Sequence, residues 1–275
     1  MPVKLTTRAE VAVEKVALPN DIRQGQPFEA TVVLNNPDKL NALNDAMWQR
    51  LGNVMSELGA EESLRCIVLR GADDKAFASG ADISEFEKVR TNAKVAKEYG
   101  EKIDGTMQAI ADCRHPTLAL IQGVCVGGGL EIASMCDLRI CGAGSRFGVP
   151  VNRLGLVMAY GEMQGLMLLV GRATALEIVL EGRVFGAEEA REKGLVNRVV
   201  PDDKVIVEAY ATARRIADGA PLAARWHKRF INRLGDPRPL TEAERDEGYA
   251  CFDTEDFRIG YRAFLAKKKP VFKGK

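Results

Sequence analysis

A mainly parallel α/β sheet followed by a helical tail is the fold class that this sequence predicts, on three observations. Short β-branched runs alternate with segments of helical period from about residue 28 to residue 200, the pattern of βα units. Residues 118–137 (LALIQGVCVGGGLEIASMCD) pass from an apolar strand through Gly127, Gly128 and Gly129 into a helix that carries Glu131 near its start. From Asp202 onward the period is helical, without a convincing strand. A soft boundary therefore falls near Pro201, between a core of residues 1–200 and a helical region of residues 201–275.

Each element has its own warrant. Residues 28–34 (FEATVVL) alternate and are rich in β-branched side chains, which predicts a strand; Asn35, Asn36, Pro37 and Asp38 then supply turn chemistry. Asn44 or Asp45 caps a helix to about Leu58, with Met47, Leu51, Val54, Met55 and Leu58 on one face. Residues 65–69 (RCIVL) form a short buried strand. Residues 77–83 (FASGADI) are small enough to let a backbone approach a ligand closely. Residues 84–113 read as polar and helical. After the glycine turn come a strand at residues 138–141, a loop over 147–160, and helices near 161–170, 173–180 and 187–193.

The glycine turn carries the chemistry. A strand that leads into a helix leaves N–H groups free at the helix N-terminus, where the macrodipole favours negative charge. Phosphate, carboxylate or a thioester enolate would each be stabilised there, with Glu131 alongside. A GGG run is not GxGxxG, so a dinucleotide fingerprint does not fit.

Composition narrows the classes. The formal net charge is +1, so no global field draws the chain to nucleic acid or membrane. The apolar runs are broken short of the ~20 residues of a membrane span, and residues 1–20 lack a signal-peptide core; the expected location is cytoplasmic. The six cysteines form no CxxC pair and four sit in apolar contexts, which predicts free thiols. With only His115 and His227, no metal site is expected.

Taken in order, Asp38 to Leu43 (DKLNAL), residues 77–83, GGGLE at 127–131, MCD at 135–137, FGVP at 147–150, Gly194-Leu195-Val196 and the tail at 264–272 resemble the successive motifs of the crotonase (enoyl-CoA hydratase/isomerase) superfamily. The resemblance implies a ββα spiral core with an α-helical C-terminal trimerisation region, assembled as a homotrimer or homohexamer. It implies an acyl-CoA substrate and no permanently bound cofactor, coenzyme A arriving as part of the thioester. By motif position Ala81 and Gly128 are the backbone donors of an oxyanion hole, and Glu131 is an acid/base. Lys39, Leu40, Ala42, Ser79, Asp82, Ile83 and Gly127 match the stretches that hold CoA. The basic runs at 225–233 and 267–275 read as solvated faces or CoA-phosphate contacts, not as a nucleic-acid surface.

One departure bears on the reaction. The family's hydratases carry a second glutamate directly after the proline of FGxPE, and here that position is Val151. The next loop reads GLVMAYGE in place of GxxPGxGG, which adds Tyr160 and Glu162. Glu162 can substitute for the absent carboxylate, although a helix-start role is the plainer reading; Tyr160 either lines the acyl pocket or packs. Met107, Val151, Met158 and Tyr160 suggest an apolar acyl pocket. Hydratase is the leading implied activity, with isomerase, thioester hydrolase, decarboxylase, lyase or a slow CoA-ester-binding protein as alternatives.

Overall fold

A computed structural model describes residues 8–17 and 27–275. Strand β1 (Glu10–Ala17) pairs antiparallel with β2 (Pro27–Asn35). The sequence reading gives β1 no element, because Glu10, Glu14 and Lys15 dilute its alternation. Helix α1 (Asp45–Ala60) follows, and the Asn44 side chain caps it by accepting the Met47 N–H at 2.8 Å. Its buried face is the expected one with Trp48 added.

A strand–strand–helix unit then repeats. First come β3 (Cys66–Gly71), β4 (Ala76–Ala78), the single turn α2 (Phe86–Val89) and α3 (Ala93–Ala111). Next come β5 (Thr117–Ile121), β6 (Val124–Val126) and α4 (Gly128–Met135). The third unit is β7 (Leu138–Gly142), β8 (Arg146–Gly148) and α5 (Tyr160–Glu181). Then β9 (Phe185–Gly186), α6 (Ala187–Glu192) and β10 (Arg198–Val200) complete the sheets; β4, β8, β9 and β10, each of two or three residues, are too short for the alternation that marks a strand, and the sequence reading omits them along with β1. The first strand of each unit joins a sheet ordered β1-β2-β3-β5-β7-β10, and the second joins a smaller sheet ordered β4-β6-β8-β9. Every pairing is parallel except β1–β2 and β8–β9. This is a ββα spiral followed by a helical C-terminal region.

The C-terminal helices are α7 (Val205–Ala217), α8 (Pro221–Leu234), α9 (Glu242–Asp246) and α10 (Glu255–Leu265). Parallel strands buried on both faces need cover on both, and α7 supplies one side. Val205, Ala209 and Ala213 pack on Cys66, Val68, Leu118, Leu120 and Ile140, while Ile67 and Leu69 face the main core with α1 and α3. A division at Pro201 thus follows secondary-structure type but not packing, since α7 completes the core. The cysteines are free thiols.

Helix α5 has the length and apolarity of a bilayer span, unlike the shorter runs of the sequence reading. Gly171 breaks it, with φ 72° and ψ 171° inside the helix. Its Met167, Leu168 and Leu180 are exposed.

Glu29 on β2 is buried, and burial pushes its carboxyl up to about 7, with Arg214 opposing and Glu14 adding. A carboxyl raised on folding costs stability as pH climbs from its unfolded value of 4.5 through about 7. Glu29→Gln removes that cost. In urea titrations at pH 5 and pH 8, the wild type is expected to lose up to about 3 kcal/mol more than this variant between the two.

Candidate active site

The loop after β4 is laced to the loop before α1. Ser79 N–H donates to Leu40 O (3.0 Å), Leu43 N–H to Gly80 O (2.8 Å) and Asp82 N–H to Leu43 O (2.8 Å). This ladder skips Ala81, whose N–H has no partner among the described residues. Across from it, Gly127 N–H donates to Gly148 O at 2.9 Å, and Gly128, the first residue of α4, likewise has an N–H without a partner. Both residues line one cavity.

Glycine is required at this crossing for stated reasons. Gly80 has φ +103° and Gly127 has φ +50°, conformations that a Cβ disfavours. A Cβ on Gly129 would lie 2.1 Å from Ala78 O, and one on Gly128 would lie 3.0 Å from the Trp48 ring. The two loops therefore meet backbone to backbone, and two free donors are fixed in the cavity wall before any ligand arrives.

Glu131, on the first turn of α4, and Glu162, on the first turn of α5, line the same cavity at 6% and 8% exposure. Burial raises the Glu131 carboxyl well above its ordinary value, the Glu162 charge adds to this, and Arg90 opposes it. Glu162 is also raised by burial, but the Ala159 N–H donates to its Oε2 at 2.7 Å and, with Arg90, favours its ionised form. Two carboxylates that repel in one buried space titrate as a pair, each making the other harder to ionise. Their environments are unequal: the Ala159 N–H favours the ionised form at Glu162, and burial with the Glu162 charge favours the protonated form at Glu131.

The far end of α4 is anchored by Arg139. Its Nε donates to Leu195 O (2.8 Å) and its Nη1 to Ala133 O (3.3 Å) and Cys136 O, so a buried cation closes the helix C-terminus. Asp137 accepts from Thr117 N–H (2.7 Å) and pairs with Lys228 (2.8 Å), so Cys136 and Asp137 of the MCD motif serve to seat α4. Arg139→Met removes the charged donor to Leu195 O and Cys136 O, while Ala133 O keeps the Cys136 N–H; it is expected to cost about 3 kcal/mol of stability, read as a shift of the denaturant midpoint.

Ala81, Gly128, Glu131, Glu162, Ser79, Ile83, Gly127, Val151 and Met158 all line this cavity. Lys39 pairs with Asp82 at 2.6 Å and donates to Ser84 Oγ at 2.8 Å. Burial would raise the Asp82 carboxyl, but Lys39 and Ser84 prevail and hold it below its usual range. Leu40 is exposed in the left-handed region, and Ala42 is buried outside the cavity wall.

Two sequence expectations are corrected. Tyr160 is 92% exposed and points away from the cavity, because it lies two positions before Glu162 on one helix, where side chains do not share a face. Met107 is buried in the core; Ile103, one turn earlier on α3, reaches the cavity instead. Nor is the wall purely apolar, since Arg90 joins it with Trp48 and Phe86. The sequence reading does not single out these three. The Phe86–Arg90 spacing of four, which stacks a cation on a ring within a helical turn, is the one local signal for them.

Residues 29–275 match the enoyl-CoA hydratase/isomerase family. The short-chain-enoyl-CoA hydratase of Clostridium acetobutylicum is 33% identical over 255 residues, 92% of this chain and 97% of that protein. A crystal structure of an enoyl-CoA hydratase/carnithine racemase from Magnetospirillum magneticum superposes with a TM-score of 0.88 at 51% identity, covering 90% of this chain and 92% of that one. The enoyl-CoA hydratase structure from Bacillus anthracis superposes with a TM-score of 0.86 at 30% identity, covering 97% and 100%. With its motif series, its ββα spiral and these relatives, the chain belongs to the enoyl-CoA hydratase/isomerase family of the crotonase superfamily.

Proposed function

We propose that this protein hydrates an enoyl-CoA thioester, with Glu162 as the second carboxylate of the site and the water-activating base. One observation carries the reading: two buried carboxyl groups, Glu131 and Glu162, share a cavity with two backbone N–H groups that have no partner among the described residues. The thioester oxygen is received by Ala81 N–H and Gly128 N–H. Ionised Glu162 takes a proton from water as its oxygen bonds to Cβ. The C=C electron pair moves through Cα to the thioester oxygen, and the resulting enolate is stabilised by the two N–H groups, each donor contributing about 3 kcal/mol. The enolate then collapses as Cα takes the proton held by Glu131. Water is consumed whole, and the proton pair is restored by exchange between the carboxyls or with solvent.

The nucleotide part of CoA is expected at the cavity mouth, which Ile83 marks by being both exposed and part of the wall. Lys39 offers its remaining N–H to a phosphate there, beside Asp82 and Leu40. The exposed apolar face of α5 fits a second copy of the chain, in the trimer or dimer of trimers that the resemblance implies. Light scattering after gel filtration measures that assembly.

The test is incubation with crotonyl-CoA, following loss of the enoyl-thioester absorbance. Hydration by the wild type supports the reading. Tight ester binding with double-bond migration, thioester cleavage or no turnover would replace it with isomerase, hydrolase or binding-protein chemistry.

A further inference from the structure

Arg90 follows α2 and takes no part in the steps above. Its guanidinium carbon sits 4.8 Å from the centre of the Phe86 ring and 5.3 Å from that of Tyr99, so two aromatic side chains hold the group in place. It lines the cavity with Glu131 and Glu162, yet among the described residues its side chain makes no hydrogen bond or ion pair, and its Nε is both shielded from solvent and unpartnered. Arg90 is half-buried, and its Nη groups, which are not shielded as Nε is, remain as charged donors for an acceptor that enters the cavity.

Charge decides what that acceptor is. Glu131 and Glu162 already bring two carboxyl groups to this cavity, and Arg90 is the one cation among the described residues that line it. A carboxylate on the incoming acyl chain would leave the cavity with an uncompensated anion next to Glu162. A hydroxyl or carbonyl oxygen satisfies the guanidinium without adding a further anion. We infer that Arg90 is a specificity residue that receives an uncharged oxygen on the acyl chain beyond the reacting carbons, so that the preferred substrates are oxygenated acyl-CoA esters. This rests on the reading of the cavity as an acyl-CoA site.

Calorimetric titration with esters that cannot be hydrated tests it, using butyryl-CoA, 4-hydroxybutyryl-CoA and succinyl-CoA. The wild type is expected to bind 4-hydroxybutyryl-CoA about tenfold tighter than butyryl-CoA, with succinyl-CoA weaker than the hydroxy ester. Arg90→Met brings the first ratio to about one. Arg90→Lys, which keeps the charge and most of the stem, retains part of it and guards against loss of folding in the first variant. A ratio that survives Arg90→Met, a wild type without preference, or tightest binding of succinyl-CoA would overturn the inference. Failure of every ester to bind the wild type would instead overturn the acyl-CoA reading beneath it.

Discussion

Glu131→Gln is expected to lower kcat for enoyl-CoA hydration by about 10³-fold, the middle of the range for removing a positioned proton donor, while ester affinity stays within about twofold. The side chain is 6% exposed on the first turn of α4. Glutamine has nearly its shape but cannot deliver the proton that the enolate needs at Cα. The oxyanion donors Ala81 and Gly128 are backbone groups and are untouched, so binding persists. Glutamine is neutral like the protonated carboxyl it replaces and cannot ionise beside Glu162, so folding stability is expected to be equal or higher. Stopped-flow kinetics beside calorimetric binding separates the two effects; an unchanged kcat would remove Glu131 from the mechanism.

Glu162→Gln carries the second large effect, and it separates a catalytic role from a capping role. Glu162 Oε2 accepts the Ala159 N–H at 2.7 Å across the first turn of α5. Glutamine at the third helical position accepts that bond as well, so the cap survives and the melting temperature is expected to move little. The base that activates water does not survive, and kcat falls by about 10²–10⁴-fold. If Glu162 were only a helix-start residue, both quantities would stay near wild type. The pH profile follows from the same assignment. Activity rises as Glu162 ionises and falls as Glu131, raised by burial and by the Glu162 charge, loses its proton.

Much of this site was legible in the sequence because its parts are backbone devices with residue signatures. Gly128 and Ala81 are read from small residues at a strand–helix crossing, and the crossing geometry explains why nothing larger fits at Gly129. The α1 face is read from its 3.6-residue period, and Asn44 from capping chemistry. What was not legible depends on how segments return in three dimensions. Arg90 reaches the cavity only because α3 folds back over α1 and α4 with α2 packed against it, and no periodicity in residues 84–113 encodes that return. Met107 and Ile103 both lie on the buried face of α3, and only the tilt of the helix decides which of them meets the ligand space. Tyr160 was separable from Glu162 in principle, since residues two apart on a helix diverge, once the helix start was known. Strand β1 carried too much charge to be read alone; it is a strand because β2 offers an edge to pair with.

The measurement that bears most directly on the two-carboxylate account is proton NMR of crotonyl-CoA with the wild-type protein in D₂O, repeated with Glu162→Gln. The account predicts 3-hydroxybutyryl-CoA carrying one deuterium at Cα from the wild type, and neither hydration nor Cα exchange at a comparable rate from the variant. Hydration by Glu162→Gln at the wild-type rate, or a wild type that migrates the double bond or cleaves the thioester without adding water, would contradict it.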